Sequence, residues 1–548
     1  MSERARRWGV LPSYHGWQGD LVETKPEVEE AILAAMGATR DRPPRLRHPH
    51  LELDPCAPAP KRVWGWAAQL YALRSRESWG VGDFADLRRF ARWSRREGAS
   101  VLLLNPLGAQ TPTLPYEPSP YYASTRRFRN VAYLRVDEVA GADRVEREIA
   151  PLRDAARRMN ERRLIDYDEV FRLKSRALEL VFKAMPEPEG LAGWARRQGD
   201  SLRGFAIFNA LCEEHGRAWR DWPSDVRHPS GGGLGAARGR LGHRVAFHQW
   251  LQFHADRQLA RAGREIELIT DVPVGFASDG FDAWRWQDYL APGMRVGAPP
   301  DEFFRDGQDW GLPAINPWAL GRARWEPFAD AIRGATGHAA GIRLDHVMGL
   351  FRLFWIPEGM TAAQGTYVKY PAAILLGLLA RESRRARSFV IGEDLGLVEP
   401  AVRRHLHRRG ALSYRLVWFE GSDPQGWPRD AVGAVGTHDL PTVAGIWTLS
   451  EPEQRLHHLR RKLVELTRLP DDAPPVDVAV ATYSALARGR PRIVLASLED
   501  ALGVHERPNT PGTVNSTNWR LSLPQSLENI EQADGVHRII QSMRAAGR

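Results

Sequence analysis

The segment Gly341-Ile-Arg-Leu-Asp-His-Val-Met348 is mostly apolar but contains an arginine, an aspartate and a histidine close together. This pattern is the strongest single indication of the fold. In a parallel barrel, each strand is buried along its length and presents functional side chains at its C-terminal end. Two later segments, 388–396 and 434–440, repeat this design. We therefore expect three strand ends to bring carboxylates to one face of a barrel, namely Asp345, Glu393 and Asp439.

Eight segments are short, apolar and mostly followed by polar or turn residues, which predicts eight buried strands. Helical patterns lie between most of them, so the order is strand then helix. This order is typical of an α/β fold, a (β/α)₈ TIM barrel with helical insertions between strands and a long active-site loop. The predicted strands are 67–73, 100–107, 265–274, 342–347, 388–393, 413–419, 432–437 and 492–498.

The uneven spacing of these strands predicts the domain organisation. Helical patterns between the second and third strands indicate an inserted helical subdomain at approximately 135–262. The long connection at approximately 276–336 is rich in Pro, Gly and Trp, and its part 297–313 has little periodicity. Its aromatic content disfavours disorder, so we expect an ordered loop near the site. The complete division is a short N-terminal segment 1–60, a catalytic barrel 61–525 and a C-terminal helix 526–548.

Composition excludes several classes of protein. The net charge of +9 raises the question of nucleic acid, but the positive residues are nearly all arginine and no nucleic-acid-binding motif occurs. No apolar run is long enough for a membrane span, and the basic N-terminus lacks the apolar region of a signal peptide. Two cysteines cannot form a disulfide framework. We expect a cytoplasmic protein without nucleic-acid or membrane partners, and the sequence carries no signal for an oligomeric state.

Carboxylates on adjacent barrel strands suit glycoside chemistry, in which one attacks the sugar and the other protonates the leaving oxygen. Neighbouring strands lie about 4.8 Å apart, close to the roughly 5 Å between the carboxyl groups of retaining enzymes. Arg343 points to the same side as Asp345 and should favour its ionised form, as a nucleophile requires. Burial and the neighbouring Asp394 should raise the pKa of Glu393, as a general acid requires.

Other interpretations of these residues stay open. A single carboxylate at a barrel rim is most often part of an ion pair. His346 and His438 adjoin carboxylates, so a two-metal hydrolase is conceivable, although no HExxH pattern occurs. Nucleophile-elbow and phosphate-loop motifs are absent from the sequence. The 20 tryptophans could offer flat faces to sugar rings or fill the core, and seven stand out by position: Trp284, Trp286, Trp310, Trp318, Trp355, Trp418 and Trp447.

With these residues assembled, the chain resembles the 4-alpha-glucanotransferases, also called amylomaltase or disproportionating enzyme, of glycoside hydrolase family 77. The resemblance runs from about Trp64 to Leu523, and weakly through Gly9 to Ala38, and it rests on long motifs in the same order. They are Gln69-Leu-Tyr-Ala-Leu-Arg-Ser75, Ser78-Trp-Gly-Val-Gly-Asp83, Ser119-Pro-Tyr121, Arg126-Arg-Phe-Arg-Asn130, Asp271-Val-Pro-Val-Gly275, 297–313, 342–357, Gly392-Glu-Asp-Leu-Gly396, Thr437-His-Asp-Leu-Pro441, Asn509-Thr-Pro-Gly-Thr513 and Asn518-Trp519.

The resemblance implies the role of each site residue. Asp345 would be the nucleophile, Glu393 the acid/base and Asp439 the transition-state stabiliser. The subsite of the attacked glucose would be lined by Tyr121, Asp271, Arg343, His346 and His438. The 297–313 segment would be a flexible loop over the acceptor groove, with Gln308 and Trp310 as sugar contacts.

The implied activity is transfer of α-1,4-glucan segments between maltooligosaccharides or related glucans of maltodextrin or glycogen metabolism, without a metal or organic cofactor. An α-glucan hydrolase and a non-catalytic glucan-binding barrel are the alternatives. Two departures from the family are visible: Tyr122-Ala-Ser-Thr125 replaces a serine-rich stretch, and only about 60 residues precede the barrel. We therefore expect no starch-binding or dimerising role for N-terminal modules.

Overall fold

The computed structural model describes residues 2–46, 54–301, 304–396, 398–421, 423–449, 456–513 and 516–548. Eight parallel strands close into a barrel in which each strand lies between its neighbours in the chain. With helices between the strands, this confirms the predicted (β/α)₈ fold. The strands are β1 (Val63–Ala68), β2 (Val101–Leu104), β3 (Glu267–Val272), β4 (Gly341–Leu344), β5 (Phe389–Gly392), β6 (Leu412–Leu416), β7 (Ala431–Ala434) and β8 (Ile493–Ser497).

Several predicted strand boundaries are wrong by three residues or more, and two of these errors are informative. The first strand was placed at 67–73, whereas β1 ends at Ala68 and residues 70–72 form a 3₁₀ turn. The apolar run continues without a break from strand into turn, because the turn is also buried, so hydrophobicity marks no boundary there. The strand placed at 432–437 ends at Ala434, and the residues that follow form the loop that carries His438 and Asp439.

Helices surround the barrel, since its strands are buried on both faces. The helices around the barrel include Phe84–Arg96, Glu326–Ala335, Ala372–Ala386, Pro400–Arg408, Val443–Trp447, His457–Thr467, Pro475–Arg488 and Leu498–Ala501, with Leu527–Ile530 and Asp534–Ala545 near the C-terminus. Between β2 and β3 lie Glu146–Arg158, Tyr167–Ala184, Leu191–His215, Leu234–Arg240 and Gly242–Gly263, and Phe281–Arg285 follows β3. In the described ranges, no helix combines the length and the apolar character needed to cross a bilayer.

A second sheet stands beside the barrel. Its four antiparallel strands are, in spatial order, Thr366–Lys369, Arg352–Pro357, Leu290–Ala298 and Gln308–Ile315. Two of them lie in the segment predicted to be a loop; residues 302–303 of that segment lie outside the described residues. Their strand pattern is obscured because Pro292, Gly293, Gly297, Gly311 and Pro313 interrupt them and the pairing shifts register between them.

The N-terminal segment packs onto this second sheet. Its elements are helices Glu3–Arg7 and Pro26–Ala35 and a hairpin of strands Ser13–His15 and Leu21–Glu23. Trp8, Val28 and Ile32 are buried in one cluster with Val296 and Leu312 of the sheet. The segment therefore packs against the second sheet through a shared hydrophobic cluster.

Candidate active site

Period-2 alternation aims the polar residues of β3, β4 and β5 into the barrel. Ile269 and Ile391 lie in the inner cluster of the barrel, so Asp271 and Glu393, two residues farther along their strands, point the same way. In the parallel register, Arg343 pairs with Asp271, and Leu344 pairs with Gly392. Asp345 and Glu393 consequently leave neighbouring strands at the same height, as predicted.

Arg343 connects the carboxylates. Its side chain is 3% exposed, and its guanidinium lies 3.1 Å from Asp345 Oδ1 and 3.3 Å from Glu393 Oε1. It also donates to Asp271 Oδ2, the oxygen that accepts a hydrogen bond from the Tyr121 hydroxyl. One buried cation therefore fixes three carboxylates from three consecutive strands, which its planar fork of donors allows.

The ionisation of the Asp345–Glu393 pair is the reverse of the sequence-based expectation. Burial and the negative charge of Glu393 raise the pKa of Asp345 well above its usual range, in spite of Arg343. Burial would also raise the pKa of Glu393, but the Arg343 charge and the backbone N–H of His346, 2.6 Å from Glu393 Oε2, outweigh it and lower the pKa. The surroundings of the two carboxyl groups therefore favour proton binding at Asp345 over Glu393, within a pair that titrates as one coupled system.

Local backbone geometry accounts for part of this reversal. His346 has a left-handed backbone (φ 42°), which accompanies the turn of its N–H toward Glu393. Asp394 was expected to raise the pKa of Glu393, but it points to the outer side of the barrel. There it contacts Arg403 at 3.0 Å and Arg415 at 3.5 Å, so its charge is balanced away from the site.

The loop after β7 supplies the third carboxylate. Asp439 Oδ1 accepts a hydrogen bond from the Asn509 amide at 2.6 Å, and Oδ2 lies 3.3 Å from His438 Nε2. Burial alone would raise the pKa of Asp439, but the charge and hydrogen bond of His438 and the Asn509 bond lower it. Asp439 is thus held in its ionised form.

A cavity of about 920 Å³ opens above these groups. Eight of the ten predicted site residues line it: Tyr121, Gln308, Trp310, Asp345, His346, Glu393, His438 and Asp439. The other two, Asp271 and Arg343, line a smaller cavity of about 60 Å³ inside the barrel. These two are buried, so they support the floor of the large cavity rather than its walls.

Aromatic side chains form part of the cavity wall. Trp310 lies edge-on to His346, with 5.4 Å between ring centroids, and its indole N–H donates to Gln308 Oε1 at 3.1 Å. Trp519, Tyr121 and His438 pack against one another with centroids 4.8–5.1 Å apart. Of the seven tryptophans singled out in the sequence, only Trp310 is among the described residues that line this cavity.

Sequence reasoning missed several of the lining residues. Trp519 contacts His438 and Asn509 binds Asp439, but both lie far from β7 in the chain, so no local pattern predicts these contacts. Trp17 and Phe419 also line the cavity, and no pattern in the chain marks either as part of a site. Among the described residues, no group of three or more His, Cys, Asp or Glu side chains is arranged to hold a metal ion.

Known proteins are similar to this chain over most of its length. The family model of glycoside hydrolase family 77, described as 4-alpha-glucanotransferase, matches residues 68–527. The 4-alpha-glucanotransferase of Mycobacterium tuberculosis (strain ATCC 25618 / H37Rv) is 38% identical over 89% of this chain and 76% of its own. That of Haemophilus influenzae is 31% identical over 85% of this chain and 76% of its own.

A solved structure shares the whole architecture. The crystal structure of amylomaltase from Corynebacterium glutamicum superposes with a TM-score of 0.85, at 25% identity, over 99% of both chains. The barrel, its second sheet and its N-terminal segment are thus part of a known fold. The chain belongs to the 4-alpha-glucanotransferases of glycoside hydrolase family 77 and is an enzyme.

Proposed function

We propose that this enzyme transfers α-1,4-glucan segments between maltodextrin chains by a retaining double displacement. Asp345 attacks the anomeric carbon while Glu393 protonates the leaving glycosidic oxygen, which leaves the donor chain covalently bound to Asp345. Glu393 then removes a proton from the 4-hydroxyl of an acceptor glucan, whose oxygen displaces Asp345. The observation that carries the proposal is the Arg343 bridge between two carboxylates on neighbouring strands beneath a cavity of sugar size.

The reaction requires an ionised Asp345 and a protonated Glu393, whereas the pKa shifts of the free site favour proton binding at Asp345. Substrate binding must therefore reverse the order of the two pKa values before the first step. Both carboxyl groups contact the Arg343 guanidinium, at 3.1 and 3.3 Å, and their titrations are coupled, so binding of the donor can move the proton from one to the other. Asp439, kept ionised by His438 and Asn509, faces the same cavity and would stabilise positive charge that develops on the sugar.

A hydrolase would use the same carboxylates, and the acceptor decides between the two reactions. Gln308 and Trp310 lie on the cavity wall, and Trp310 contacts His346, the residue after the nucleophile. An indole at this place covers the intermediate with apolar surface and offers a stacking face to an acceptor sugar. This arrangement favours sugar hydroxyls over water as acceptors.

Incubation of the purified protein with maltotriose alone tests the proposal. Transfer predicts a ladder of longer maltodextrins together with glucose, with no net gain in reducing ends. Shortening with a matching gain in reducing ends would identify a hydrolase, and unchanged maltotriose would contradict a role as a glucan-processing enzyme. We also propose that the enzyme acts in maltodextrin or glycogen metabolism in the cytoplasm. Its two free, buried cysteines suit a reducing compartment.

A further inference from the structure

The N-terminal hairpin reaches the same cavity as the catalytic carboxylates. His15 ends its first strand, Trp17 lies in the loop that follows, and both line the large cavity with Asp345 and Glu393. Trp17 is 40% exposed, whereas Tyr14 in the same hairpin is 6% exposed. An indole that faces a cavity and stays open to solvent contributes little to the core, so its surface is available to a ligand.

The hairpin is held in place by the second sheet. Tyr14 packs edge-on against Phe354 and Tyr367, with centroids 5.6 and 5.4 Å away. The backbone N–H of Leu11 donates to the Tyr367 carbonyl at 2.9 Å, and the hydroxyl of Thr24 lies 2.6 Å from that of Thr366. The hairpin is therefore fixed to the same sheet that carries Gln308 and Trp310.

The loop that presents Trp17 is itself closed by hydrogen bonds. The Gly16 N–H donates to the Asp20 carbonyl at 2.9 Å, and the Gly19 N–H donates to the Gly16 carbonyl at 3.0 Å. Gly19 has φ +86°, a conformation that glycine adopts without strain. Since the loop is ordered before a ligand arrives, holding Trp17 in place costs little entropy on binding.

We infer that Trp17 and His15 form an outer glucan-binding subsite of the catalytic cavity. The apolar face of one glucose unit would stack on the indole, and its hydroxyls would hydrogen-bond to the His15 ring. This inference rests on the proposed function and assigns a role in substrate length to the N-terminal segment. Glucans long enough to reach Trp17 gain affinity, whereas maltotriose bound at the carboxylates gains nothing from it.

Trp17→Ala tests the inference when transfer is measured with maltotriose and with maltoheptaose as the only substrate. We expect kcat/KM for maltoheptaose to fall about three- to tenfold through KM, the size of one lost stacking contact, with maltotriose unaffected. Trp17→Phe should retain most of the activity on maltoheptaose, because the stacking face remains. Leu21→Ala is the matched control, since Leu21 pairs with His15 in the hairpin, is 59% exposed and is absent from the cavity lining.

Two results would overturn the subsite. One is an unchanged kcat/KM for maltoheptaose in Trp17→Ala; the other is an equal fall for both substrates, which would indicate a structural role of the hairpin. Failure of the proposed function has a different signature, because the unmodified enzyme would then form no ladder from maltotriose. A ladder in the unmodified enzyme with no length-dependent effect of Trp17→Ala rejects the subsite alone.

Discussion

The floor and the wall of the active-site cavity are built by different kinds of structure. The floor comes from β3, β4 and β5, where parallel register and period-2 alternation place Asp271, Arg343 and Glu393 side by side. Much of the wall comes from three parts of the chain that lie outside the barrel strands, namely the antiparallel sheet, the N-terminal hairpin and the segment beyond β8. The barrel strands thus position the charged groups, whereas the second sheet positions Trp310 and the N-terminal hairpin positions Trp17.

The largest expected effect comes from the floor. Asp345→Asn and Glu393→Gln should each lower the rate of transfer by about 10²–10⁴-fold, because in the proposed mechanism each removes a group that takes part in bond breaking. Product ladders from maltotriose measure the rate, and circular dichroism checks the fold. Glu399→Gln is the control, because its side chain is 50% exposed and contacts Arg352 instead of the carboxylate pair. Near-normal transfer by either variant would contradict the assigned roles.

Two substitutions of Arg343 distinguish the contribution of its charge from that of its hydrogen-bond geometry. Arg343→Met leaves three clustered carboxylates without their cation, so we expect inactivity and a loss of roughly 3–5 kcal/mol in the free energy of unfolding. Arg343→Lys keeps the charge but loses the fork of donors, and should retain more stability while still lowering kcat. Urea unfolding and maltotriose kinetics measure both. Equal stability of the two variants would show that charge balance is not what Arg343 contributes.

Substitution of Asn509 tests the role of Asp439 through the pH dependence of kcat/KM. Its hydrogen bond helps to lower the pKa of Asp439, so Asn509→Ala should raise that pKa. Asp439 would then be protonated at a higher pH as the solution is acidified, and the acidic limb of kcat/KM should move to higher pH. The basic limb should instead reflect loss of the one proton that the Asp345–Glu393 pair shares. An unmoved acidic limb would show that Asp439 does not govern it.

The wall should give the smallest effects, and effects of another kind. Trp310→Ala is expected to lower transfer about tenfold and to raise the share of hydrolysis, because water reaches the intermediate more easily. Released glucose compared with new reducing ends gives that share. Trp286→Ala serves as the control, since Trp286 packs against Arg285 and does not line the cavity. A loss as large as that of Glu393→Gln would remove the distinction between floor and wall.

The residues of the floor were predictable because their signals are local. Arg343, Asp345 and Glu393 each follow an apolar run, and alternation along a strand decides which side chains share a face. The pKa directions of Asp345 and Glu393 were not predictable in this way. They depend on a backbone N–H from His346 and on the distance of Arg343 from both carboxylates, which no strand pattern encodes.

The residues of the wall were harder to predict because they come from distant parts of the chain. Trp519 contacts His438, and Asn509 binds Asp439, only after the segment beyond β8 has folded back over the barrel. Two strands of the second sheet were expected to form a loop, since glycines, prolines and register shifts hide their alternation. Trp17 lies nearly the whole length of the barrel sequence away from Asp439.

The fold class and the convergence of three carboxylates on one face could be predicted from the chain alone, because burial and alternation act between neighbours in the chain. Three properties required the folded structure: the directions of the pKa shifts at Asp345 and Glu393, the aromatic rings that line the large cavity, and the approach of the N-terminal hairpin to it. These properties depend on distances between residues far apart in sequence. Electrostatic interaction and stacking both follow distance in space, and the packing of the folded chain sets that distance.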